Sequence, residues 1–161
     1  SGVQNFPTVG LIDGTFRQNL EETNMGYDKE VECIGIAREL DMFTSPYVFN
    51  EDEAKKMTEA GADLIVAHMG LTTKGSIGAK TALTLEQCVP QVQAIHDAAK
   101  SVRGDVLVIC HGGPISEPDD AQFILNKTGG VVGFFGASSV ERLPTEVAIT
   151  GQVEKFKGMS L

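Results

Sequence analysis

The chain has 161 residues, with 22 acidic against 13 basic side chains and a formal charge of -9. A sequence pI near 4.7 with 42% hydrophobic residues describes a globular protein that disfavours nucleic-acid phosphates and anionic lipid. No apolar run approaches the roughly 18 residues of a membrane span. The length suits one α/β domain over 1–161 and is short of the roughly 250 residues of an ordinary eightfold (β/α) barrel. The segment SGVQNFPTVG lacks a basic stretch followed by a long apolar one, so no secretory signal and a cytoplasmic location are expected. Cys33, Cys88 and Cys110 are odd in number and widely spaced; they read as buried thiols, not a zinc site.

In chain order, the first strand is expected over Val3–Ile12, followed by the loop GLIDGTFRQNLEE. A helix over Asp28–Leu40 comes next, with Val31, Ile34, Ala37 and Leu40 along one side. A strand over Met42–Phe49 leads to a helix over Glu51–Ala60, for which Asn50 and Glu53 have capping-box spacing. The strand Asp63–Met69 precedes a polar loop and a helix over Leu85–Val102, capped by Thr84 with Gln87 and stopped at Gly104. Pro90 inside that helix removes an N–H and crowds the carbonyl of Glu86, so a kink or a late start is expected. The strand Asp105–His111, a helix over Pro118–Lys127, the strand Val131–Gly136 and a helix over Thr145–Phe156 complete the series.

Strand followed by helix, repeated, means a parallel sheet, because parallel neighbours need a crossover. The runs DLIVA, DVLVIC and VVGFF are almost continuously apolar, as strands covered on both faces are. Periodicity alone leaves two architectures open: an open doubly wound sheet, or part of a (β/α) barrel. In both, the ligand site lies at the carboxyl ends of the strands.

The residues after the apolar runs are therefore the candidates. His68 and His111 each end a strand, where an imidazole can act as acid, base or ligand. His96, on a helix, reads as structural. Asp13 and Arg17 follow the first strand, offering a carboxylate for acid-base work and a guanidinium for an anion, with a surface ion pair as the rival reading. Gly136 and Ala137 lead into Ser138 and Ser139, and Ser138 has capping-box spacing to Glu141, so a short helix with a free N-terminus is expected to hold an anion. Gly112 and Gly113 would present backbone N–H groups to that anion, although turn formation accounts for them equally well. The loop Leu71–Lys80, with Thr72, reads as a mobile lid or as an ordinary loop. Glu141 and Arg142 can pair with each other or orient the site. No Walker loop, G-x-G-x-x-G, H-E-x-x-H or EF-hand pattern is present in the sequence.

The strings GVQNFPTVGLIDGTFRQNLEE, TSPYVF, AGADLIVAHMGLTTKGSIGAK, CHGGPI and GASSVERLP together resemble the TIM-barrel family described as phosphoenolpyruvate hydrolase-like. That family is similar to the phosphoenolpyruvate mutase and isocitrate lyase superfamily. The resemblance implies hydrolase or lyase chemistry on a small phosphorylated or carboxylated oxyacid, with magnesium as the usual cofactor. It also implies that the chain carries units four to eight of a barrel, so that a second copy or a partner segment is expected to complete it. A related barrel in a plant antiviral resistance protein points instead to a non-catalytic interaction module.

Overall fold

A computed structural model describes residues 1–80 and 82–160. Short parallel strands alternate with helices: β1 (Gly2–Val3), α1 (Gly14–Glu22), α2 (Tyr27–Glu39), β2 (Phe43–Thr44), β3 (Tyr47–Val48), α3 (Glu51–Glu59), β4 (Leu64–His68), α4 (Leu85–Val102), β5 (Leu107–His111), α5 (Pro118–Lys127), α6 (Ser138–Glu141) and α7 (Leu143–Lys157). β1 pairs with β2, and β3, β4 and β5 form a second parallel set in that order. The segment after α5 continues the order. Val132 N–H donates to Val108 O, Cys110 N–H to Gly133 O and Phe135 N–H to Cys110 O, at 2.9–3.0 Å.

This strand order decides between the two architectures. Within each set the strands pair in sequence order, β1 with β2 and β3 with β4 with β5, without the reversal that marks an open doubly wound sheet, and α2, α3, α4 and α5 pack side by side in succession. The arrangement is that of consecutive (β/α) units from a barrel. Between the helix layer and the strands lies a core of Ile34, Met57, Ile65, Val92, Ile95 and Val108 with their neighbours, whose burial is the main favourable term in the fold.

Three expected elements differ. The first strand ends at Val3, not Ile12, and a 3-10 turn occupies Val9–Leu11. Pro7 has no N–H for a ladder, and beyond Val3 a side chain replaces the strand. Asn5 Oδ1 accepts the Tyr47 N–H at 2.7 Å, and its Nδ2 donates to Tyr47 O at 3.2 Å. The run Met42–Phe49 is two short strands broken at Ser45–Pro46. The run Val131–Gly136 holds a single bridge, Cys110 to Phe134.

Capping reads true at two helices. Asn50 Oδ1 accepts from Glu53 N–H, and Thr84 with Gln87 forms a full capping box. That cap fixes the start of α4 at Leu85, so there is no late start, and the helix continues through Pro90.

Candidate active site

His68 and His111 are register partners at the ends of β4 and β5. Alternation places Leu64, Val66 and His68 on one face of β4, and Leu107, Ile109 and His111 on the same face of β5. Their neighbours Ile65, Ala67, Val108 and Cys110 turn to the core under the helices. The imidazoles therefore stand together on the face away from the helix layer, with ring centroids 4.7 Å apart at 77°. Tyr47 of β3 stacks on His111 at 5.0 Å and meets His68 edge-on at 4.7 Å. Phe49 lies 4.9 Å from His68, and Phe135 lies 5.6 Å from His111.

A polar network positions Tyr47. Its carbonyl accepts from Tyr27 Oη at 2.5 Å as well as from Asn5. Glu30 in turn accepts from Asn5 Nδ2, Thr8 Oγ1 and Val9 N–H at 2.6–2.8 Å. The aromatic wall of the site is thus set by α2 and the segment before α1.

Both rings are more than nine-tenths buried, at 5% and 8% exposure. The backbone holds each one. Gly70 N–H donates to His68 Nδ1 at 3.0 Å, and His111 Nδ1 donates to Phe135 O at 2.7 Å. Burial, reinforced by the neighbouring His111, pushes the His68 pKa down to about 3. Burial lowers that of His111 as well. Desolvation disfavours the charged form, so both imidazoles are neutral at pH 7.

The pair opens on a cavity of about 310 Å³ whose lining includes Phe6, Thr72, Ser138, Glu141 and Arg142. Arg142 does not pair with Glu141. Its Nη1 meets Glu146 Oε1 at 2.7 Å and its Nη2 donates to Lys74 O at 3.0 Å. Ser76 N–H also donates to Glu146 at 2.9 Å, and Lys74 Nζ binds Asp120 at 2.7 Å. The loop read as a lid is thereby fastened to α5 and α7. Arg142 reaches the cavity through these tertiary contacts, and Phe6 stands edge-on to Tyr47 with ring centroids 6.1 Å apart.

Of the residues singled out in the sequence, His68, His111, Thr72, Ser138, Glu141 and Arg142 meet at this cavity. The others serve elsewhere. Gly112 and Gly113 have φ of 77° and 60°, and a Cβ on either would lie within 2.4 Å of a backbone oxygen of Gly70 or Met69. They let the β4 and β5 loops touch, and the Gly113 N–H donates to Gly70 O at 2.6 Å, so it is not free for an anion. Gly136 makes room for Val140, which a Cβ would approach to 2.7 Å. The N-cap of α6 is Ala137, with no side-chain cap, so the expected Ser138–Glu141 capping box does not form and Ser138 and Ser139 lie within the helix.

Asp13 is the exposed N-cap of α1, where a loop is expected from the sequence. Arg17 sits one turn later, with Nε on Glu21 at 2.6 Å, Nη1 donating to Val9 O at 2.7 Å, and its guanidinium 5.7 Å from the Tyr27 ring centroid. It lines a separate cavity of about 680 Å³ with Tyr27, Glu53 and Lys56. Because the first strand stops at Val3, the residues that follow Ile12 are not at a strand end. His96 is a helix residue whose Nδ1 meets Asp97 at 2.8 Å.

The histidine cavity supplies one carboxylate, Glu141, and among the described residues no three His, Cys, Asp or Glu side chains converge. Magnesium demands near-octahedral oxygen ligation, and this donor set does not fit it. No helix among the described residues is long and apolar enough to cross a membrane.

Fold and site together define a (β/α)-unit protein with its polar cluster at the carboxyl ends of the strands. The chain belongs to the phosphoenolpyruvate hydrolase-like family, whose profile matches residues 1–159. It is 62% identical over 160 residues to ToMV susceptible protein tm-1(GCR26) of Solanum lycopersicum, and equally to ToMV resistance protein Tm-1(GCR237) of the same plant. Each alignment covers 99% of this chain and 21% of the relative, so the chain spans about a fifth of the curated relatives' length. Among solved structures, the N-acetylmannosamine-6-phosphate 2-epimerase from Clostridium perfringens matches with a TM-score of 0.48 at 13% identity, covering 78% of this chain and 48% of that one. KGPDC from Streptococcus mutans matches at 0.47 and 14%, covering 78% and 55%.

Proposed function

We propose that the cavity bounded by His68 and His111 binds a small carboxylated or phosphorylated oxyacid and moves a proton on it, in hydrolase or lyase chemistry. The observation that supports this reading most is the register pairing of two buried, neutral imidazoles at neighbouring strand ends, the position where barrel enzymes carry their chemistry. Thr72, Ser138 and Arg142 are the polar groups available to hold the acid, and Tyr47, Phe49 and Phe135 keep water from the rings. A neutral imidazole can accept a proton at pH 7, as a base must. Membership of the phosphoenolpyruvate hydrolase-like family supports the substrate class. Cys88 and Cys110 are buried as expected, whereas Cys33 is exposed, and all three are free thiols, which accords with work in the cytoplasm.

The test is a titration of the chain with pyruvate, L-lactate, phosphoenolpyruvate and inorganic phosphate, followed on the imidazole resonances. At least one acid is expected to shift both His68 and His111 at millimolar concentration. If all four leave both rings unmoved, the reading falls.

A non-catalytic interaction module is the second reading, and one observation favours it. The chain exposes 9278 Å², against about 7,800 Å² for a compact monomer of its mass. The excess is of the size one partner contributes to an obligate interface, and α7 presents Val147 and Phe156 at 75% and 65% exposure. In this reading a second copy of the chain covers that face.

A further inference from the structure

We infer that the His68–His111 pair selects a ligand that offers both a hydrogen and a lone pair, the hydroxyl and neighbouring oxygen of a 2-hydroxy acid, over one that offers lone pairs alone. This inference rests on the binding reading above and narrows its ligand class.

The backbone partners of the two rings differ in kind. A carbonyl oxygen only accepts, so the Phe135 carbonyl requires a hydrogen on Nδ1 of His111, and the neutral ring then carries its lone pair at Nε2. A backbone amide only donates, so Gly70 N–H requires a lone pair on Nδ1 of His68, and that neutral ring carries its hydrogen at Nε2. Neighbouring strands thus present one acceptor and one donor. Among the described residues neither Nε2 has a hydrogen-bond partner, and the one enclosed, unpartnered side-chain atom is Nε2 of His96. The Nε2 atoms of His68 and His111 accordingly reach accessible space, and both residues line the same cavity.

A carboxylate, or a phosphate monoester with both oxygens ionised, satisfies the His68 N–H but sets an oxygen against the His111 lone pair. In a 2-hydroxy acid, the hydroxyl donates to His111 Nε2 while a carboxylate oxygen accepts from His68 Nε2–H. A 2-oxo acid has the same skeleton without the hydrogen. A buried acceptor left without a donor loses affinity, so the hydroxyl is a point of discrimination. Tyr47, stacked on His111 and edge-on to His68, stops either ring from turning to exchange its nitrogens.

Two measurements test this. In a chain labelled with nitrogen-15 at histidine, the long-range proton–nitrogen spectrum is expected to show the hydrogen on Nδ1 of His111 and on Nε2 of His68. L-lactate is expected to bind about tenfold more tightly than pyruvate, the worth of one hydrogen bond, and His111→Phe should abolish that preference, bringing the ratio of the two affinities to about one. The tautomer spectrum needs no variant, so a His111→Phe chain that fails to fold leaves the inference testable. Matching tautomers on the two rings, or pyruvate binding as tightly as lactate, would overturn the inference while the oxyacid site stands. Failure of every acid to bind would overturn both.

Discussion

Two regions of the molecule treat their apolar residues in opposite ways. From β3 to α5, Val48, Met57, Ile65, Val92, Ile95 and Val108 are fully enclosed between the strands and the helix layer. In α7, Leu143 is the one buried residue among those described, and Val147, Ile149, Val153 and Phe156 face solvent. Both regions follow the same local rules, a capped or proline-started helix after a strand or loop. What separates them is a second layer: α4 has β4, β5 and the neighbouring helices α3 and α5 against it, and α7 has little beyond the short α6 and the loop that Glu146 fastens. Helix formation is a local matter, whereas burial depends on a partner.

The largest effect that would break this comparison lies in the core. Ile65→Ala removes a fully buried β4 side chain and is expected to cost about 2–5 kcal/mol, read from the urea midpoint at constant slope. A loss below about 1 kcal/mol would show that the central layer is not the tight region described.

Next comes the dependence on pH. Burial beside His111 holds His68 at about 3 in the fold, against about 6.5 in an unfolded chain. Between those values the unfolded chain takes up a proton that the native ring refuses. Stability therefore falls as the pH drops from about 6.5 towards 3, by about 1.4 kcal/mol per unit from this residue, and is flat above 6.5. His111, lowered in the same direction, adds to the slope. His68→Phe is expected to flatten the denaturation midpoint between pH 6 and 4; an unchanged slope would mean that His68 titrates alike in both states.

A smaller effect is expected from the network behind Tyr47. Glu30→Ala leaves Asn5, Thr8 and the Val9 N–H without their acceptor, at about 1–3 kcal/mol. It should also loosen the ring that stacks on His111, which the His111 resonances would report. An undisturbed His111 would make the network irrelevant to the site.

The same contrast between local and tertiary causes governs what the sequence made legible. The apolar runs at Leu64–His68 and Leu107–His111 and the caps at Asn50 and Thr84 are local, and they appear where expected. The helix α1 went unread because it buries no residue, so it has no apolar stripe to reveal it. That omission carried Asp13 and Arg17 to a strand end they do not occupy. The last strand was over-read because VVGFF is apolar enough for a strand, yet the structure keeps one bridge, at Phe134. At the site, the histidines were visible as strand-end residues. Arg142 was seen without its partner, since Glu146, Lys74 and Ser76 come together only when the 71–80 loop folds onto α7.

The smallest effect on stability is expected where the comparison is sharpest. Val147→Ser with Phe156→Ser changes two largely exposed side chains, so the isolated chain should lose no more than about 0.5 kcal/mol. Its association should change far more. If a second copy covers α7, the parent chain has twice the monomer mass by light scattering at high concentration, and the double variant reverts to the monomer. A parent chain that is a stable monomer would contradict the proposed pairing. A stability loss well above about 1 kcal/mol without any change in mass would show that α7 is held by its own domain, and the difference between the two regions would then be one of degree.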